Sequence, residues 1–201
     1  LQEAGFEYTY SPLILNADED YILYQSRSVF AKAWIFSKGF WRRVKDLTRA
    51  HRYDVIFIYR EAFFTGLTLF EWILHISGKK IILDFDDSIW LPDISEANKK
   101  LSWLKKPSKI NDLIKLADLT IVGNAYLANY AQQFSDRVKV FPSTIDLDYY
   151  RLSTPNVKPA TDPVCIGWSG SHTTIKHFET VIPALQKIKE QYGNRVTFCV
   201  Y

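Results

Sequence analysis

Lys79 to Trp90 reads KKIILDFDDSIW, an apolar run that breaks off into three aspartates within four positions, Asp84, Asp86 and Asp87. Lys80 to Leu83 is too continuously apolar for a strand with one face in water, so a buried parallel strand is expected there. Like charges crowded at the end of such a strand repel one another and lower stability unless something uses them. In open parallel α/β sheets, ligands bind beyond the carboxyl ends of the strands, where helix N-termini and their free N–H groups converge. The aspartates stand at that edge.

Comparable apolar runs recur on both sides: Val55 to Tyr59, Leu119 to Val122, Val138 to Phe141, Val164 to Trp168 and Val196 to Tyr201. Helical stripes separate several of them. Ile110, Leu113, Ile114 and Ala117 repeat behind Ser108, a good N-cap residue, and Tyr126, Leu127, Tyr130, Ala131 and Phe134 repeat behind Asn124. A third stripe runs from Ile175 to Ile188, carries Pro183 as an expected kink, and ends at Gly193. Alternating strands and helices predict an α/β fold, a Rossmann-like parallel sheet with flanking helices. Residues 151 to 163 hold Pro155, Pro159 and Pro163 among Ser, Thr and Asn, and read as a linker. The expected domains are therefore residues 1–150 and a linker with a second, truncated α/β unit over 151–201. A strand, helix and strand cannot cover their own sheet faces, so chain is expected beyond Tyr201.

Every strand exit is polar. Arg60-Glu61 follows the first run, Gly123-Asn124 the third, Pro142-Ser143-Thr144 the fourth, and Ser169-Gly170-Ser171-His172-Thr173-Thr174 the fifth. The last is a small-residue loop opening a helix, which lets backbone amides approach a phosphate closely. Each has a plain structural reading beside the functional one: Asn124 as a helix cap, Arg60 and Glu61 as a surface pair, the Ser/Gly loop as a capped helix start.

The chain has 201 residues, 47% of them hydrophobic, and a net charge of +3, too little to imply a nucleic-acid partner. Seven Lys and Arg residues against the single acid Asp46 fall between Ala31 and Arg52, so any anionic partner meets this segment first. Trp34, Ile35, Phe36, Phe40 and Trp41 interleave there with Lys32, Lys38, Arg42, Arg43 and Lys45. That mixture suits an anionic membrane surface, or a helix with aromatics in the core and cations in water. Gly39 could divide it into two short helices. No apolar run is long enough to span a bilayer, and no secretory signal is visible. Cys165 and Cys199 each sit in an apolar run, which predicts small buried thiols in a reducing cytoplasm. The four histidines have no ligand spacing, so no metal site is expected. The chain starts at Leu1 and lacks methionine, which suits a trimmed start.

Four blocks in this order resemble glycosyltransferase family 4: KKIILDFDDSIW from Lys79, ADLTIVGNAYLANY from Ala117, VKVFPSTIDLDYY from Val138 and IGWSGSHTT from Ile166. The resemblance covers the chain from about Phe6 onward. It implies a GT-B architecture, in which an N-terminal Rossmann-like domain holds the acceptor and a second holds a nucleotide-diphosphate sugar. It also implies transfer with retention of configuration, without a bound metal or other cofactor, to a glycan or lipid-linked acceptor, as in bacterial surface polysaccharide synthesis at the inner face of the membrane. Carried onto this chain, it matches Ser169, Gly170 and Ser171 to the loop facing the donor diphosphate and sets Asp84 to Asp87 where related enzymes place an acceptor- or sugar-contacting residue. With the strand-exit positions, the expected site is Asp86 and Asp87 for catalysis, Arg60, Glu61 and Asn124 for the acceptor, and Ser169, Gly170, Ser171 and Thr173 for the donor. Phe141 to Asp146 matches the family's hydrophobic-Pro-x-x-x-Asp segment. The family's glycine-rich loop and its glutamates seven apart are expected outside Leu1 to Tyr201, so this polypeptide alone is expected to have no transferase activity.

Two other readings remain. Ile81 to Ile89 also resembles the first motif of haloacid-dehalogenase-like phosphatases, with Asp84 as nucleophile, Asp86 as acid/base and Ser88 near the metal. Asp87 stands where that motif has a small residue, and no later apolar strand ends in paired aspartates. A non-catalytic Rossmann-like binding module is the third reading.

Overall fold

The computed structural model describes residues 5–24, 28–91, 106–147, 163–170 and 175–200. The chain divides into two compact units, Leu1–Thr144 and Ile145–Tyr201. The first contains α1 (Ala17–Tyr24), α2 (Val29–Arg49), β1 (Val55–Tyr59), α3 (Leu69–Ile76), β2 (Lys80–Phe85), α4 (Lys109–Leu116), β3 (Leu119–Val122), α5 (Ala125–Ala131) and β4 (Val138–Val140). Its four strands form one parallel sheet in the order β1-β2-β3-β4, flanked by helices, as in a Rossmann-like fold.

Alternation along the strands decides what is covered. Ile58, Ile81, Leu83, Phe85 and Val122 point to one face and join Leu74 of α3, Ile110, Leu113 and Ile114 of α4, and Leu127, Ala128 and Ala131 of α5 in a single buried core. The register is pinned at the amino end of β2, where Asp118 Oδ2 accepts from the Ile81 N–H at 3.0 Å and Asp118 Oδ1 pairs with Lys80.

The sequence predicts strands buried on both faces, and β1 departs from that. Val55, Phe57 and Tyr59 are exposed, because β1 is an edge strand and the core packs on the Ile58 side only. Strand β2 runs two residues further than its apolar run, since ladder pairing with β3 continues through Phe85. Asp84 is thus a strand residue.

Helix α2 is one continuous helix of 21 residues, despite Gly39. That glycine lies where a Cβ would stand 3.3 Å from Leu13 Cδ1 and 3.4 Å from Phe63 Cε2, so its smallness serves close packing, not a break. Ser108 precedes α4 as expected but its side chain makes no cap bond. Asn124 does cap α5: its Oδ1 accepts from the Leu127 N–H at 3.0 Å.

The second unit contains β5 (Val164–Trp168), α6 (Ile175–Glu179), α7 (Ile182–Tyr192) and β6 (Val196–Val200), with β5 and β6 paired in parallel. Pro183 does not kink a helix. It sits in the first turn of α7, where its missing N–H costs nothing, and a new helix starts there. Gly193 ends α7 at a φ of 56°, which favours glycine. The expectation of buried thiols fails. Cys165 is exposed and Cys199 half-buried, and their sulfurs lie 3.3 Å apart on a two-stranded sheet that buries little of β5. The linker expected over 151–163 lies outside the described residues up to Pro163.

Candidate functional site

The site begins where β1 ends. Tyr59 lies opposite Asp84 in the ladder, and Asp86 follows two residues later on β2's exit. The Tyr59 hydroxyl donates to Asp86 Oδ1 at 2.8 Å, and Arg60 Nη2 reaches the same oxygen at 3.3 Å. Arg60 also pairs with Asp87 Oδ2, and its guanidinium carbon stands 5.2 Å from the Tyr59 ring centre. One arginine therefore bridges two carboxylates beside a phenol.

The backbone at Arg60 is strained to allow this. Its φ is 61°, the left-handed region, and it is the one non-glycine residue there among those described. Holding a residue with a Cβ in that conformation costs about 1–2 kcal/mol. The turn is fixed by two short hydrogen bonds, Arg60 N–H to Asp84 O at 2.7 Å and Glu61 N–H to Tyr59 O at 2.8 Å. Arg60 Nε is buried and has no hydrogen-bond partner. Strain together with an unsatisfied donor is what a ligand site, more than a structural ion pair, is built to carry.

Electrostatics separate the three carboxylates. The Tyr59 hydroxyl, and after it Arg60, hold Asp86 below the ordinary Asp value against the opposing effect of burial. Asp84 is half-buried one turn of the strand back; burial, then the charge of Asp86, push its carboxyl up. Burial opposes the charge on Arg60, yet Tyr59, Asp86 and Asp87 keep its pKa raised. Burial and the bond to Asp86 raise Tyr59, so its hydroxyl stays a donor. The cluster offers two partly exposed carboxylates and a phenol that stays a donor at an open sheet edge.

Behind the cluster lies a buried ion pair. Lys109 Nζ, on α4, sits 3.3 Å from Glu71 Oε1 of α3 and 3.2 Å from Glu61 Oε2, and donates to Phe63 O at 2.9 Å. Glu71 Oε1 accepts from the Ala62 N–H at 2.9 Å. These contacts clamp residues 61–63, the segment leaving the strained turn. On the other flank, Trp90 stacks on Tyr130 with ring centres 3.7 Å apart and meets Phe85 edge-on, anchoring the loop that follows Asp87. Gly123, at β3's exit, faces Asp86 and Ser143 at ordinary van der Waals distance from a would-be Cβ.

The residues picked out by sequence thus separate into groups. Arg60, Asp86 and Asp87 come together. Glu61 stands next to them but is engaged with Lys109, and Asn124 spends its side-chain oxygen on the α5 cap. Ser169 and Gly170 lie exposed after β5 in the second unit, while Ser171 and Thr173 lie outside the described residues. Sequence reading missed Tyr59, Glu71 and Lys109. Glu71 could have been found as the lone acid in the apolar helix LFEWILHI, whereas the place of Tyr59 beside Asp84 comes from the register of β1 on β2, which alternation within one strand does not give. Among the described residues no three His, Cys, Asp or Glu side chains converge as a metal cluster would need, and Arg60 occupies the carboxylates that a cation beside Asp84 would use.

The first unit is therefore an α/β domain with a Rossmann-like parallel sheet and a polar cluster at its carboxyl edge. No protein-family model matches the sequence, and no curated protein matches it either.

Proposed function

We propose that the chain serves a GT-B glycosyltransferase, the first unit holding a glycan or lipid-linked acceptor and the second the diphosphate of a nucleotide sugar. The observation that carries the reading is the Arg60–Asp86–Asp87 cluster beside Tyr59, at the sheet edge where α/β domains bind ligands. Two carboxylates can accept hydrogen bonds from sugar hydroxyls, and an exposed phenol ring offers a sugar face an apolar contact. Asp87 is the more open carboxylate, with 64% of its side chain exposed against 44% for Asp86, and is the better placed to orient an attacking hydroxyl. In the transfer, the bond from sugar carbon to diphosphate breaks as the bond to the acceptor oxygen forms, the acceptor hydroxyl's proton passes to the departing diphosphate, and negative charge gathers on that diphosphate. Backbone N–H groups after β5, at Ser169 and Gly170, suit that charge. The resemblance to glycosyltransferase family 4 adds retention of configuration and a place at the inner face of the membrane, in surface polysaccharide synthesis.

Binding tests the reading without requiring turnover. Titration with UDP-glucose and GDP-mannose should shift the amide resonances of Ser169 and Gly170, and a glycan array should show binding that Asp86→Asn and Asp87→Asn reduce at unchanged melting temperature. Absence of both interactions, or glycan binding indifferent to both variants, would refute it.

A further inference from the structure

Helix α2 buries one face and leaves an aromatic face in water. Lys32, Ile35 and Gly39 lie on its buried side. Phe30, Trp34, Lys38, Trp41 and Lys45 follow one another at steps of three or four residues, so they share the opposite face. Phe30 is 91% exposed, Trp34 65% and Trp41 66%. Single exposed apolar residues are ordinary, but three large rings on one helical face form a patch that marks an interaction surface.

We propose that this face of α2 docks on an anionic lipid surface. Charge selects the occupant. Between Val29 and Arg49 stand six Lys and Arg residues and one acid, Asp46, which Arg43 holds at 2.5 Å toward the body of the domain. Buried Glu19 of α1 is shared by two cations, Arg42 at 3.0 Å and Lys38 at 3.6 Å, so the pair leaves net positive charge at the surface. Trp34, Ser37, Lys38, Trp41, Arg42 and Lys45 line an open groove of about 500 Å³, and Lys38 Nζ stands 5.6 Å from the Trp34 ring centre. That is the composition of an interfacial helix: aromatic rings enter the headgroup layer while lysines meet lipid phosphates. No helix among the described residues is long and apolar enough to cross a membrane. The proposal rests on the proposed place at the inner face of the membrane and names the surface that meets it; vesicle binding needs neither donor nor acceptor, so its failure is distinguishable from a failure of sugar transfer.

The charge test must spare residues that hold the fold. Arg42 donates to Leu13 O as well as to Glu19, and Arg43 to Ala62 O and Ser11 O, so reversing either would unsettle the domain. Lys38 and Lys45 are the exposed cations to change. The chain is co-sedimented with vesicles of phosphatidylcholine alone and of phosphatidylcholine and phosphatidylglycerol in equal parts, at low and high salt. Binding to the anionic vesicles that salt weakens is expected. Lys38→Gln with Lys45→Gln should weaken it about thirtyfold, at roughly fivefold for each lysine. Trp34→Ala with Trp41→Ala should weaken it as well, and circular dichroism should show both variants folded. No vesicle binding, or equal binding to neutral and anionic vesicles, would overturn the proposal. So would a dimer in sedimentation velocity that Trp34→Ala with Trp41→Ala dissolves, because the face would then belong to a second copy.

Discussion

The hydroxyl of Tyr59 donates to Asp86 Oδ1 across 2.8 Å, joining the last residue of β1 to the first residue beyond β2. This bond is the foremost reason that Asp86 is held below the ordinary Asp value, ahead of the pull of Arg60 on the same oxygen. It also keeps the exposed ring of Tyr59 beside the carboxylates, where a ligand would meet both.

Tyr59→Phe should therefore raise the Asp86 pKa, read from its carboxyl ¹³C shift in a pH titration. A carboxyl with a depressed folded pKa contributes stability that is present above its unfolded value and lost as pH falls through the folded value. The variant should show less of that acid loss, and at neutral pH it should be destabilised by no more than about 1 kcal/mol, since the bond is exposed. An unmoved Asp86 titration would show that the hydrogen bond does not set it.

Lys109→Met should be among the most damaging single changes. It would leave Glu71, 1% exposed, as an uncompensated buried carboxylate, at a cost of about 3–5 kcal/mol. Adding Glu71→Leu should recover much of the loss, because an apolar pair of similar volume replaces the ions without their desolvation. Urea unfolding of the single and double variants checks this; additive losses would mean that the two residues are not coupled.

Glu19 predicts a separate acid transition in the α1–α2 pair. The side-chain bonds from Arg42 lead in lowering its pKa from 4.5 to about 2, with burial opposing. Its contribution is present in full above 4.5 and drains away as pH falls toward 2. Glu19→Gln should flatten the stability profile across that window and cost about 2 kcal/mol at neutral pH, a figure discounted for the partial exposure of Arg42. Parallel acid profiles for both proteins would contradict it.

The sheet was legible because its strands are continuous apolar runs, and the runs at Val55, Leu119 and Val164 end where the strands end. The extension of β2 through Asp84 was not, because ladder pairing with β3, invisible locally, outweighs the poor strand propensity of aspartate. Nor was the continuity of α2, since a glycine that admits Phe63 and Leu13 looks in sequence like one that breaks a helix. At the site, position gave Arg60, Asp86 and Asp87, as strand exits always carry that information in a parallel sheet. What position could not give was partnership. Glu61 and Lys109 are 48 residues apart, and only packing α4 against the 61–63 segment makes them a pair.

The central claim is that the strained Arg60 and its two aspartates bind the acceptor, and Arg60→Gly tests it most directly. Glycine relieves the left-handed strain while removing two partly exposed ion pairs worth about 0–1 kcal/mol each, so the melting temperature should move by no more than about 4 °C. Glycan-array binding measured on the same protein should fall at least tenfold, roughly the loss of one charge-assisted contact. A large fall in melting temperature with glycan binding intact would make the cluster a structural clasp and contradict the account.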